Sequence, residues 1–238
     1  MGANLPVHFV ENAGQTDARV RFHAQGAGFA FFLTAEEAVF RFAPQYAGRT
    51  NHVTTVADHD GAAGAILRLR YVDGNPNVTV AGEDRASGEV NYLLGDDSSG
   101  WRRGLSQYRG VVYRDLWPGI DMKLRTDSGA LKYEFHVRPG ARVSDIRLAY
   151  EGVDGLALDP EGGLQIGTAI GVLRDAPPVA YQEISGKRVL VASRYELTGH
   201  AYGFTTDRYD SKRELIIDPG LDYSTFLGGT SHEFGKAS

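Results

Sequence analysis

The sequence predicts an all-β protein, a large antiparallel β-sandwich, and three observations carry that prediction. Thirty glycines and nine prolines break the chain into short runs rich in Val, Ile, Phe, Tyr and Thr. Turn signals recur about every eight to twelve residues, the spacing of sandwiches and barrels. Helical periodicity is scarce: "TAEEAV" (34–39) and "RVSDI" (142–146) offer one turn each.

Taken in chain order, "VRFHAQ", "FAFFLT", "AVFRFA", "AILRLRYV", "NVTVAG", "VNYLLG", "GVVYRDL", "DMKLR" and "LKYEFHV" fit strands in the first part. "IRLAYEG", "LALD", "LQIG", "VLRDA", "VAYQEI", "RVLVASRYEL" and "ELIID" fit strands in the second. The strongest pattern is "AILRLRYV", where apolar and basic residues alternate as they do on a strand with one buried face. The stretch 44–64, rich in Gly, Ala and polar residues, reads as a long loop.

A loose internal repeat suggests two related β halves, 20–144 and 145–220, sharing one core. Laid without gaps on 146–168, residues 20–42 put Val20 on Ile146, Arg21 on Arg147, Phe22 on Leu148 and Gly26 on Gly152. Phe32 then falls on Leu158 and Phe40 on Ile166. Phe22, Phe32, Leu148 and Leu158 are accordingly expected in the interior of a domain spanning 5–220.

Composition narrows the function. The 238 residues carry 42% apolar and 23% charged side chains, with a net charge of −5, the profile of a folded globular chain. Basic residues are scattered rather than gathered, which argues against a nucleic-acid partner. No run approaches the ~20 apolar residues of a membrane helix, and "MGANLPVHFVEN" has neither the basic start nor the apolar core of a signal peptide. "MGA" reads as an added start ahead of a mature domain. The absence of cysteine removes disulfides, thiolate metal sites and cysteine nucleophiles together.

Three groups of residues have chemistry to offer. In "GIDMKLRTDSGALKYEFHVRPG" (119–140), Ile120, Met122 and Leu124 alternate with Asp121, Lys123 and Arg125, and Tyr133, Phe135 and Val137 with Lys132, Glu134 and His136. This is a hairpin with one apolar and one ionisable face. A two-residue turn at Ser128-Gly129 sets Lys123 opposite Glu134 and Asp121 opposite His136. A longer loop from Thr126 to Gly129 sets Asp121 opposite Glu134 instead, a like-charge pair of the kind that raises one carboxyl pKa. Asp121, Glu134 and His136 are thus the candidate acid–base residues of a hydrolase, against the plainer reading of a solvated, salt-bridged face.

His52, Asp58, His59 and Asp60 are metal-capable, but a Gly/Ala-flanked loop lacks the rigid spacing a metal site needs. In "WRRGLSQYRGVVYRDLWPG" (101–119), Trp101, Arg102, Tyr113 and Trp117 are candidates for stacking on sugar rings or a partner surface. The competing reading buries them, with Trp117-Pro118-Gly119 as a turn under a buried indole. Glycine clusters such as 26–28 have no helix after them, so no phosphate cradle and no cofactor are expected. No Gly-x-Ser-x-Gly elbow is present.

Several stretches together resemble the N-terminal domain that precedes SBBP-type β-propeller repeats in large bacterial exported or surface proteins. In order they are "FVENAGQTDARVRFHAQGAGFAFFLT", "YRGVVYRDLWPGIDMKL", "LKYEFHVRPGA", "PPVAYQE" and "ELIIDPGLDYSTFLGGT". The family's Phe-x-x-Asn-x-Gly-Gln falls on Phe9, Asn12, Gly14 and Gln15, and its Gly-Ile-Asp on Gly119, Ile120 and Asp121. Its Tyr-Asp/Glu-Phe falls on Tyr133, Glu134 and Phe135, and its Ile-Asp-Pro on Ile217, Asp218 and Pro219. The resemblance brings no established activity and so no catalytic residues. It implies an extracellular or cell-surface module, not an enzyme, whose residues 221–238 begin a propeller repeat. Its partners are then downstream repeats of the same polypeptide and a cell-surface glycan or protein. The amides of Asn12 and Gln15 are expected to bond the backbone and pin the N-terminus.

Overall fold

Alternation of apolar and polar residues lays out nearly every segment as a strand. The computed structural model describes residues 7–222, except 27, 43–64, 94, 96, 128–129 and 170. In order the strands are β1 (Phe9–Glu11), β2 (Phe22–Gly26), β3 (Phe29–Leu33), β4 (Glu37–Phe42), β5 (Ala65–Tyr71) and β6 (Thr79–Tyr92). They continue as β7 (Arg102–Trp117), β8 (Ile120–Asp127), β9 (Ala130–Val137), β10 (Leu148–Glu151), β11 (Gly155–Leu158) and β12 (Leu164–Thr168). The last are β13 (Gly171–Ile184), β14 (Lys187–Val191), β15 (Ser193–Thr198), β16 (Ala201–Thr206) and β17 (Leu215–Asp222). The only helical turns among the described residues are two 3-10 turns, Ser98–Gly100 and Val143–Asp145. The second falls on "RVSDI" as expected. "TAEEAV" makes no helical turn: the Thr34 hydroxyl accepts the backbone N–H groups of Glu36 and Glu37, closing a hairpin between β3 and β4.

All ladders are antiparallel, and they form two layers. One runs β1-β2-β3-β4-β5-β10-β16-β15. The other runs β6-β7-β8-β9-β17-β13-β14, with the β11–β12 hairpin continuing beside the first half of β13. The layers join at both margins. β7 pairs with β1 at Gln107 and Tyr108, then with β8 from Gly110 onward. β14 and β15 form one extended run broken only at Ala192, the first part bonded to β13 and the second to β16. The result is a large antiparallel sheet folded into a flattened, nearly closed barrel, the two-layer all-β architecture the sequence predicts.

The strands of 20–144 and 145–220 interleave: β10, β15 and β16 extend the layer of β1–β5, while β13, β14 and β17 extend that of β6–β9. The two stretches aligned as a repeat pair differently. β2, β3 and β4 are consecutive hairpins, whereas β10 bonds to β5 and β16. Phe22 and Leu148 are buried as expected. Phe32 faces outward, half-buried and stacked on His23. Leu158 is 45% exposed, because it closes β11 beyond the reach of the core that its neighbour Leu156 still touches.

Aromatic rings lock the layers together. Tyr71 of β5 meets Tyr113 and Trp117 of β7 edge-on, and Phe135 of β9 meets Phe204 of β16 at 5.5 Å. Two left-handed turns set the registers. At Trp117-Pro118-Gly119-Ile120, Gly119 has φ 75°, and Ser185-Gly186 (φ 51° and 73°) joins β13 to β14 as a type I′ turn.

A small cluster sits outside the main core, where His23 packs between Phe32 and Tyr92. It is 2% exposed, with Nε2 3.2 Å from the Gln15 amide nitrogen. Burial pushes the imidazole below its ordinary 6.5. Above that value His23 is neutral in both folded and unfolded chains and costs nothing. As pH falls below 6.5 the unfolded chain takes up a proton that the folded one refuses, so stability declines until the lowered folded value is passed. Urea midpoints measured across this range are expected to fall with pH, and His23→Leu is expected to remove that part of the slope.

Candidate functional site

The β8–β9 hairpin carries the sequence-based acid–base candidates, and its register is that of a two-residue connection. Asp127 pairs with Ala130, Lys123 with Glu134 and Asp121 with His136. The like-charge Asp121–Glu134 pairing is therefore not realised. Asp121 accepts the backbone N–H of Asp115 at 2.8 Å and the Arg138 guanidinium at 2.8 Å. Arg138 also bonds Asp115, whose φ of 52° marks a bulge in β7. Asp121 thus braces a bulge. Glu134 and His136 do meet: His136 Nε2 lies 3.0 Å from Glu134 Oε1, and its Nδ1 lies 3.2 Å from Glu214 Oε1.

Glu134 lies in a groove of about 730 Å3 on the outer face of the second layer. The groove forms where β17 parts from β9. Their ladder ends at Ile217–Phe135, and one step further Pro219 has no N–H to give, while β17 stays bonded to β13 through Asp218–Val179 and beyond. That step brings Asp218 beside Glu134. The His136 hydrogen bond, with Arg125 and Lys123 nearby, holds the Glu134 carboxyl below the usual range despite its partial burial. Asp218 is pushed up, first by burial and then by the Glu134 charge. Along the groove Arg109 meets Asp84 at 3.1 Å, Lys123 meets Glu83 at 3.9 Å and Arg125 meets Glu134 at 3.5 Å.

The four aromatic and arginine candidates do not form one surface, which corrects that expectation. Tyr113 and Trp117 are 0% and 1% exposed, packed between the layers, because their positions fall on the inward-facing side of β7. Arg102 gives its Nε–H to the Ala13 carbonyl at 2.6 Å and a second donor to Ser99, tying the β6–β7 hairpin to the N-terminal loop. Trp101 stays at the hairpin end, its Nε1 bonded to the Gly95 carbonyl and the Arg103 guanidinium 5.1 Å from its ring. His52, Asp58, His59 and Asp60 lie outside the described residues. Among the described residues no three His, Asp or Glu side chains are placed to hold a metal ion.

Asn12 and Gln15 bond backbone, as expected. The Asn12 amide donates to the carbonyls of Asp17 and Val20 and its oxygen accepts from Gly14 and Thr16. Gln15 donates to the Glu11 carbonyl of β1 at 2.7 Å. Asn12→Ala is expected to strip the 12–20 loop of these bonds and lower stability by about 1–3 kcal/mol, read as a lower urea midpoint with an unchanged slope.

Asp218 is the functional candidate that sequence reasoning missed, since its nearness to Glu134 comes from a long-range pairing that no local pattern signals. Residues 9–220 match the model of a family described as Domain of unknown function (DUF7948). No curated protein and no solved structure matches the chain. Among the described residues no helix is long and apolar enough to cross a membrane.

Proposed function

The chain belongs to that family over nearly all of its described length, and on this footing we propose that it is a non-catalytic module of a bacterial exported or surface protein. In this reading it caps or orients a following β-propeller and contributes to adhesion. The observation that supports it most directly is the placement of β17. This strand lies between β9 and β13, and its pairing with β13 continues to Asp222–Arg174. A strand bonded into the middle of a sheet leaves in a fixed direction, so whatever follows residue 222 starts from a rigid platform. Residues 223–230 resemble the opening strand and turn of a propeller repeat, which is what such a platform would hold.

Fusing a set of SBBP-type repeats after Ser238 and measuring thermal melting and small-angle scattering tests this. Docking is expected to give scattering from one fixed arrangement. An interface worth only ~1 kcal/mol would raise Tm by about 2–4 °C for a domain of this size. Two freely pivoting bodies with an unchanged Tm would overturn the capping role.

A further inference from the structure

The geometry points to the groove between β6–β9 and β17 as a binding cleft for a neutral, hydroxyl-rich polymer such as a glycan, with Glu134 and Asp218 as its polar anchors. This deepens the adhesive part of the proposed function and is independent of the capping part.

Size comes first: at about 730 Å3 the groove falls within the roughly 300–1,000 Å3 of ordinary ligand clefts. Charge comes second. Four basic and four acidic side chains line it, and Arg109, Lys123 and Arg125 each face a carboxylate across the strands. An anionic polymer would have to displace those carboxylates, and a cationic one would have to displace the guanidinium and ammonium groups. A hydroxyl donates and accepts at once, so a row of hydroxyls can bridge existing pairs without breaking them. The third observation is Asp218. It is half-buried, and no hydrogen bond or ion pair reaches its carboxyl among the described residues. A polar group partly removed from water without a partner carries a cost, and a neighbouring carboxylate at Glu134 adds to it. A ligand hydroxyl placed between the two relieves both.

Affinity electrophoresis in gels containing dextran, a soluble β-1,3-glucan or pectate tests the cleft. At least one neutral polymer is expected to retard the protein, and the retardation should persist in raised salt. Asp218→Leu, which removes no hydrogen bond, is expected to weaken it by about tenfold or more while Tm stays level or rises. Arg109→Ala, on the far wall, should weaken it too. Trp101→Ala, outside the groove, should leave it unchanged. The proposal is overturned if no polymer retards the protein or if pectate alone does so and salt abolishes the effect. It is equally overturned if Trp101→Ala loses retention that Asp218→Leu and Arg109→Ala keep. A failed capping result leaves all of these outcomes readable.

Discussion

Replacing Trp117 with alanine is expected to lower the unfolding free energy by about 3–5 kcal/mol, the cost of emptying a large aromatic site in a packed core. Trp117 is 1% exposed and sits where β7 turns into β8, its ring reaching between the layers. Tyr71 lies 6.4 Å away on the facing layer and Phe135 6.0 Å away on its own. The indole Nε1 also donates to the Val72 carbonyl at 2.9 Å, so one side chain contributes both packing and a bond across the sandwich. Trp117→Phe keeps most of the ring but leaves that carbonyl without its donor, and is expected to cost distinctly less than the alanine change. Urea melts of the two variants separate the effects. A loss below about 1 kcal/mol for the alanine variant would mean that the layers are not held at this point.

How much of this was legible in the sequence depends on how local each feature is. The β8–β9 hairpin was readable to the register, because Ile120, Met122 and Leu124 repeat with the period of a strand and Tyr133, Phe135 and Val137 answer them. The buried indole at Trp117 was readable from the Pro-Gly that follows it. Other features depend on bulges. Asp84 and Asp115 take left-handed conformations inside long strands, and nothing in the alternation announces them. The short run 34–39 looked helical because Ala and Glu favour helices, yet the Thr34 hydroxyl and the ladder to β5 outweigh that preference. The groove was the least visible feature. Glu134 was readable as an outward-facing carboxylate, but its neighbour Asp218 arrives from the end of the chain through β17.

Removing the hydroxyl of Tyr133 is expected to be the second costly change, about 2–3 kcal/mol, since hydrogen bonds to carboxyl groups out of contact with water are among the stronger ones. Asp175 of β13 is 1% exposed and accepts the Tyr133 hydroxyl at 3.0 Å. The Tyr202 hydroxyl lies 3.1 Å from that of Tyr133, so with Tyr133 donating to Asp175, Tyr202 donates to Tyr133. The chain of bonds therefore crosses from β16 to β9 and on to β13, joining both layers near the margin where β14 runs into β15. Burial, and then the Asp175 charge, push the Tyr133 hydroxyl well above its ordinary range, so it stays a donor at any ordinary pH. Tyr133→Phe removes the middle link and leaves the carboxyl and the Tyr202 hydroxyl each short of a partner. Asp175→Asn keeps the shape and weakens the same link from its other end. In a double-mutant cycle the two losses should fall short of their sum by at least about 1 kcal/mol, as for residues sharing one network. Additive losses would mean that Asp175 is satisfied without Tyr133, and that the margin is held by the packing of Tyr195 and Phe204 alone.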